Sequence, residues 1–240
     1  MKRSILVAAF VLLFPFSLMA ADIAAQVYDL CEEKGGTANC KVAVDIATKA
    51  LAANPNGYTE NWVMAQALRT YTDYYKRENK PGWKELCKTN GKKAMGYAEK
   101  AISLKPDGVE GHFWYGTSVG TYSDGVSIVT ALKEGLKNKT QAGFEKAYAA
   151  NKMYNKGGPM KALGRFWSVL PFPLKNKKKA LEYLAEYSKY FPDNAEGQVF
   201  YGQALIDSGK KKEAKDVLEK AAASSDKYYA AEAKKLLADL

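Results

Sequence analysis

Residues 195–221 read AEGQVFYGQALIDSGKKKEAKDVLEKA, and their spacing decides the fold. Gly202 and Gly209 lie seven residues apart, and Ala214 follows five later, with Tyr201 and Leu205 as the large apolar neighbours. Ala214, Leu218 and Ala221 then recur at intervals of four and three, which puts their side chains on one face of a helix. The stripe occurs three more times, as Ala43, Ala47 and Ala50, as Ala94, Ala98 and Ala101, and as Ala180, Leu184 and Tyr187. In those copies a proline stands five residues further on, at Pro55, Pro106 and Pro192, and stops the helix. Small residues on such a stripe let a neighbouring helix come close. The fold these patterns predict is all-α, with antiparallel helix pairs stacked on one another.

The spacing resembles the tetratricopeptide repeat, most closely over residues 195–221 and more loosely through the rest of the chain. Gly116 stands ten residues after Pro106, as Gly202 does after Pro192. The resemblance implies a TPR-like α-solenoid, or superhelix. Its periods are unequal. Pro192 to the next equivalent, Asp226, spans 34 residues, whereas Pro55 to Pro106 spans 51, and Pro106 to Pro192 spans 86. The 17-residue surplus of the second unit predicts a hairpin about two turns taller in each helix. The third stretch predicts two pairs and one additional helix, with breaks near residues 123–125, 138–140, 157–159 and 171–173. Helix pairs are thus expected at about 22–55, 57–106, 107–192 with one extra helix, and 193–240, in a single domain over 21–240.

The first 20 residues read differently. Lys2 and Arg3 precede an apolar run from Ile5 to Phe16 and the small pair Ala20-Ala21, the pattern of a secretory signal peptide. No cysteine sits at the expected cleavage point, so lipid attachment there is not predicted, and the expected location is periplasmic and soluble. The net charge of +10 falls to +8 without Lys2 and Arg3. Lysine runs at 177–179 and 210–212 stand where helices begin after turns, facing water or an acidic partner. A nucleic-acid partner is not expected, because no basic face is interleaved with reading or stacking groups. With Cys31, Cys40 and Cys87, at most one internal disulfide can form. Cys31 and Cys40 flank the Gly35-Gly36 turn almost symmetrically and are the preferred pair, leaving Cys87 a buried thiol; the other two pairings stay open.

Catalytic groups are sparse. His112 is the one histidine and lies beside Phe113, Trp114 and Tyr115, which reads as packing. A metal site of ordinary tetrahedral type needs more ligands than this, and neither a metal nor a cofactor is expected. No glycine loop follows a strand pattern to hold phosphate. Carboxylates at Glu32-Glu33, Glu110 and Glu134 are available for glycoside cleavage, as in a cell-wall hydrolase, but no spacing sets a pair at the needed separation. No catalytic residue is assigned, and the chain is read as a binder.

Sixteen tyrosines fit a groove that is wet and still binds. The first helix of each pair lines the concave side of such a stack. Residues there that the repeat does not use for its own packing are Trp62, Gln66, Arg69 and Thr70, then Phe113, Thr117 and Thr121, then Val199, Gln203 and Asp207. They predict an aromatic and amide-lined groove holding one cation. For Trp62 and Phe113 the alternative is a place in the core.

Over residues 155–165 the order Asn-Lys-Gly-Gly-Pro-x-x-Ala-Leu-Gly-Arg, then Pro171-x-Pro173, then Lys178-Lys179-Ala180-Leu181-x-Tyr183-Leu184, resembles the T component of tripartite ATP-independent periplasmic (TRAP) transporters. The aromatic helix over 111–120 is similar to the same family. That resemblance implies cryptic tetratricopeptide repeats, a trimer, a pore-like channel in each protomer and docking of a periplasmic solute-binding protein. Family members are often lipoproteins, and this chain lacks the acylated cysteine. The expected function is therefore an accessory of TRAP-type solute uptake that holds a small apolar or organic ligand. The alternative is a generic envelope scaffold or chaperone-like adaptor that binds peptides, or another envelope protein, in its groove.

Overall fold

The structure is a computed structural model and describes residues 14–240, with side chains from residue 20 onward. Most of the expected signal peptide, residues 1–13, thus lies outside the described residues. Twelve α-helices and no strand are found among the described residues. They are α1 (Phe14–Tyr28), α2 (Gly36–Ala53), α3 (Tyr58–Arg77), α4 (Trp83–Leu104), α5 (Val109–Gly125) and α6 (Ile128–Lys133), then α7 (Leu136–Asn151), α8 (Tyr154–Val169), α9 (Lys177–Tyr190), α10 (Ala195–Asp207), α11 (Lys211–Ala222) and α12 (Lys227–Ala238). A π-helical turn over Asp29–Lys34 separates α1 from α2. None of the described helices is long and apolar enough to cross a membrane.

Successive helices pack on one another: α2 on α3, α3 on α4, α4 on α5 and α5 on α7, with α6 inserted between the last two. After α8 and α9, and α10 and α11, helix α12 packs on the end of the stack. The alanine stripes supply the seams. Ala43, Ala47, Ala94, Ala98 and Ala101 are wholly buried, and Ala180, Leu184, Tyr187, Ala214, Leu218 and Ala221 are at most 1% exposed. Glycine is required where two helices come closest. A Cβ at Gly202 would stand 2.6 Å from the Leu218 side chain, and one at Gly116 2.6 Å from the Phe144 ring.

The turns at the three prolines repeat one device. The residue before each proline, Asn54, Lys105 or Phe191, has φ of −141°, −145° or −131°, outside the helical well, as the ring of the next residue demands. Six residues after the proline a buried polar side chain reaches back to its carbonyl. Asn61 Nδ2 donates to Pro55 O at 3.0 Å, Gln198 Nε2 donates to Pro192 O at 2.8 Å, and His112 Nε2 lies 2.7 Å from Pro106 O. The one histidine is thus the second copy of a turn lock, satisfying a carbonyl that the proline has cut out of the helix ladder.

The long hairpin is α3 and α4, with 20 and 22 residues against 13 and 12 in α10 and α11. The differences of seven and ten residues account for the 17-residue surplus. Between Pro106 and Pro192 lie five helices, the pairs α5/α7 and α8/α9 plus α6. The break expected at residues 138–140 falls earlier. Gly135, at φ 64°, starts α7, and buried Leu136 anchors its first turn, so Asn138 to Thr140 are already helical. Ahead of α8's packed half, Asn155, Lys156 and Gly157 take three consecutive positive φ values, 48°, 53° and 73°. Such a run interrupts the helix at Gly157-Gly158-Pro159 and re-aims the chain.

All three cysteines are buried free thiols, so the bridge expected between Cys31 and Cys40 is unmade in the structure. The two are nonetheless adjacent across the Gly35-Gly36 turn. A hydrogen bond with Cys40, followed by burial, pushes the Cys31 thiol far above its usual range. Burial likewise raises Cys87, to about 11.

Candidate functional site

The inner side of the stack holds a half-open cavity of about 1120 Å³ whose walls come from the end of α1, the π-helical turn, α3 to α10 and α12. Arg69, Thr70, Phe113, Thr117, Thr121, Val199 and Gln203, expected at the groove from their positions on first helices, all line it. Trp62, Gln66 and Asp207 do not. Trp62 is half-buried, packed against the core of the first hairpins and not on the cavity wall. Gln66 is 2% exposed and lies beside Glu32, below the cavity surface. Asp207 stands at the end of α10, where it pairs with Lys175 and accepts from Gln203 at 3.1 Å. Phe113 serves both readings. It lines the cavity and is 5% exposed, edge-on to Trp114 and Tyr154 at centroid separations of 4.8 and 5.4 Å.

One cation was expected, and a group of four is present: Arg69, Arg77, Lys161 and Arg165, beside Glu32, Asp73 and Glu196. Glu196 of α10 is the hub. Arg77 Nη2 lies 3.3 Å from Glu196 Oε1 and 2.7 Å from Asp73 Oδ2; Tyr229 OH donates to Glu196 Oε1 at 2.5 Å; Lys161 pairs with Glu196 Oε2. Arg77 also stacks over the rings of Tyr229, Tyr74 and Tyr228 at 4.9, 5.4 and 5.5 Å. Residues 119 positions apart are thereby joined across the concave side.

Burial alone would raise the Glu196 carboxyl, but Lys161 and then Arg77 hold it far below the usual carboxylate range. Burial works against the cations too, and at Arg69 and Arg77 it is overcome only by several neighbours together, Asp73 first and Glu196 among the rest, which raise both. Arg165 is the exception. It has no carboxylate or hydrogen-bond partner among the described residues and its guanidinium sits 4.6 Å over the Phe200 ring; the side chain stays exposed, but the protein around it displaces enough water to pull it below the usual range. Glu32 is raised by burial despite Arg69 and Lys161 nearby. Four buried polar atoms on residues lining the cavity have no partner: Glu32 Oε1, Arg69 Nε, Thr70 Oγ1 and Tyr187 OH. Each such atom costs about 1–3 kcal/mol unless water or a guest satisfies it.

The charges that sequence reasoning missed were marked by helical spacing. Arg69, Asp73 and Arg77 fall at i, i+4 and i+8, and Lys161 and Arg165 at i and i+4, each set on one helix face. Only Glu196 and Tyr229, which meet them from the far end of the chain, left no such trace.

Fold and site together define a helical-repeat solenoid with a charged, aromatic-walled interior. Residues 176–240 match the family model described as tetratricopeptide repeat. A thermophilic TPR protein of Thermus thermophilus superposes with a TM-score of 0.65 at 15% identity, over 92% of this chain and 98% of that one, and shares the solenoid fold over that extent. YrrB, a TPR protein with an unusual peptide-binding site, gives a TM-score of 0.47 at 16% identity over 92% of this chain and 91% of its own. No curated protein sequence matches the chain.

Proposed function

We propose that this chain is a non-enzymatic binding protein of the cell envelope, exported on residues 1–20, that holds a guest in its inner cavity and serves as the docking accessory of a TRAP-type solute uptake system. The observation that carries the binding role is the cavity itself, lined by aromatic side chains and by Arg165, an exposed guanidinium with no carboxylate partner among the described residues. An apolar wall with a few convergent polar groups is what holds a guest in a pocket. Tetratricopeptide solenoids act as scaffolds for proteins and peptides, and the concave wall is the surface they use. The TRAP role and the trimer it implies rest on the sequence resemblance at residues 155–184 and 111–120.

The test is affinity capture of the tagged chain from the source organism's periplasm, with mass spectrometry of what is retained. A solute-binding protein should dominate, and native mass spectrometry should give a trimer carrying a small guest. Recovery of many unrelated envelope proteins or peptides would replace this reading by the scaffold or chaperone-like adaptor. Absence of the chain from the periplasm would remove both.

A further inference from the structure

Large apolar side chains are exposed singly at several positions, such as Val42, Leu104 and Tyr190, but the most exposed of them fall in two segments. Helix α6 exposes Ile128, Val129 and Leu132 by 60, 56 and 60%, and the segment joining α8 to α9 exposes Val169 by 54% and Phe172 by 95%. Phe172 stands between Pro171 and Pro173, which hold its backbone in a narrow range. These two segments share one end of the molecule. Ile128, Leu132, Val169 and Leu174 all border the same cavity, and Lys137 of α7 and Lys179 of α9 both lie over the Trp167 ring, at 5.5 and 4.5 Å. Ile128, Leu132, Val169 and Leu174 are both exposed and on the cavity's border, so they form a lip at its open edge, with Val129 and Phe172 on the same two segments just outside it.

The charge around that lip is mostly of one sign. Residues 127–139 and 169–179 contain seven lysines, of which Lys175 pairs with Asp207, and a single carboxylate, Glu134, which accepts from Tyr122 OH at 3.2 Å. Lys133, Lys139, Lys177 and Lys178 are exposed. A protein partner is a poorer match for such a surface, because the cores of protein interfaces are enriched in aromatic residues, Met and Arg and depleted in Lys, whereas this patch is mostly aliphatic and ringed by lysine. Protruding aliphatic and Phe side chains ringed by lysine match a lipid surface instead. The apolar tips enter the boundary between headgroups and acyl chains, while each lysine near an anionic headgroup layer contributes favourable charge.

We infer that the α6 and 169–174 lip docks this protein peripherally on an anionic phospholipid surface, with the mouth of the cavity turned toward the bilayer. This does not depend on what the cavity holds or on the TRAP assignment. It supplies a means of membrane attachment to a chain with no cysteine at its expected cleavage point.

The experiment is flotation of the full chain with vesicles of phosphatidylcholine, alone or mixed with phosphatidylglycerol, at low and high salt. Residues 1–20 are common to every arm, so the differences between variants report on the lip. Binding should require phosphatidylglycerol, fall with salt, and weaken roughly tenfold or more in Phe172→Asp and in the Lys177→Glu/Lys178→Glu double variant. Both changes lie on exposed side chains, so helical circular dichroism and melting should be unchanged. Lys211→Glu/Lys212→Glu, a charge reversal elsewhere, should bind as the parent does. Binding that ignores phosphatidylglycerol, or that none of the lip variants reduces, overturns the inference. So does sedimentation velocity in which Phe172→Asp dissociates an oligomer of a chain that does not float, since the lip is then a protein interface.

Discussion

Asn61, His112 and Gln198 perform one task at equivalent positions, each holding the carbonyl of the repeat proline six residues back. Three different side chains suffice because the requirement is only a nitrogen of the right reach. His112→Ala should therefore cost about 1 kcal/mol by removing the bond to the Pro106 carbonyl, and His112→Asn should recover part of that loss. Urea unfolding of the three proteins measures it. Equal stability of His112→Ala and the parent would show that the bond contributes nothing. The position was visible in the sequence as a lone histidine in an aromatic helix. Its role became visible only when the three turns could be superposed.

At the scale of the element, helix-to-helix distance is governed by residues with little or no side chain. Gly202 faces Leu218 so closely that any Cβ must displace it. Gly202→Val should destabilise by about 1–3 kcal/mol through overpacking, seen as a lower denaturant midpoint with an unchanged slope. A neutral result would mean that α10 and α11 can slide apart freely. The α1–α2 turn offers a second test. Cys31 and Cys40 are buried neighbours across a short loop, and an oxidant should join them with a gain of about 2–3 kcal/mol. Thiol alkylation under denaturing conditions, followed by mass spectrometry, should then find Cys87 alone modified. Alkylation of all three in protein recovered from an oxidising compartment would refute the pairing.

For the whole molecule, the decisive contact is Glu196 with Arg77, Lys161 and Tyr229, which ties the long hairpin to the end of the stack. Glu196→Gln leaves two buried cations underpartnered and should cost about 3 kcal/mol near neutral pH. The sign with pH follows from the lowered carboxyl. A carboxylate depressed in the folded state contributes stability that is full above its unfolded value of about 4.3 and is lost as pH falls through the folded one. The difference between parent and Glu196→Gln should thus be level from about pH 7 to 5 and shrink only below about pH 4. Thermal melts across that range measure it, and a difference that vanishes already at pH 6 would contradict the assignment. Small-angle scattering should show a larger radius for the variant if the tie holds the solenoid curled.

The chain's periodicity determined the all-helical fold, the seams between helices and the extra length of the second hairpin, because those depend on residues three, four and five apart along one helix. It also put Arg69, Thr70, Phe113, Thr117, Thr121, Val199 and Gln203 on helix faces that the repeat does not use for its own packing, which is a local property, and in the structure those side chains line the cavity. Whether Trp62 and Gln66 point into the cavity or behind it depends on the rotation of α3 against its neighbours, which no local spacing contains. The meeting of Arg77 with Glu196, and of the α6 lip with Phe172, depends on how a small twist at each hairpin accumulates along the stack. Only the folded molecule sums those rotations, so only the tertiary structure decided where the two ends of the chain come together.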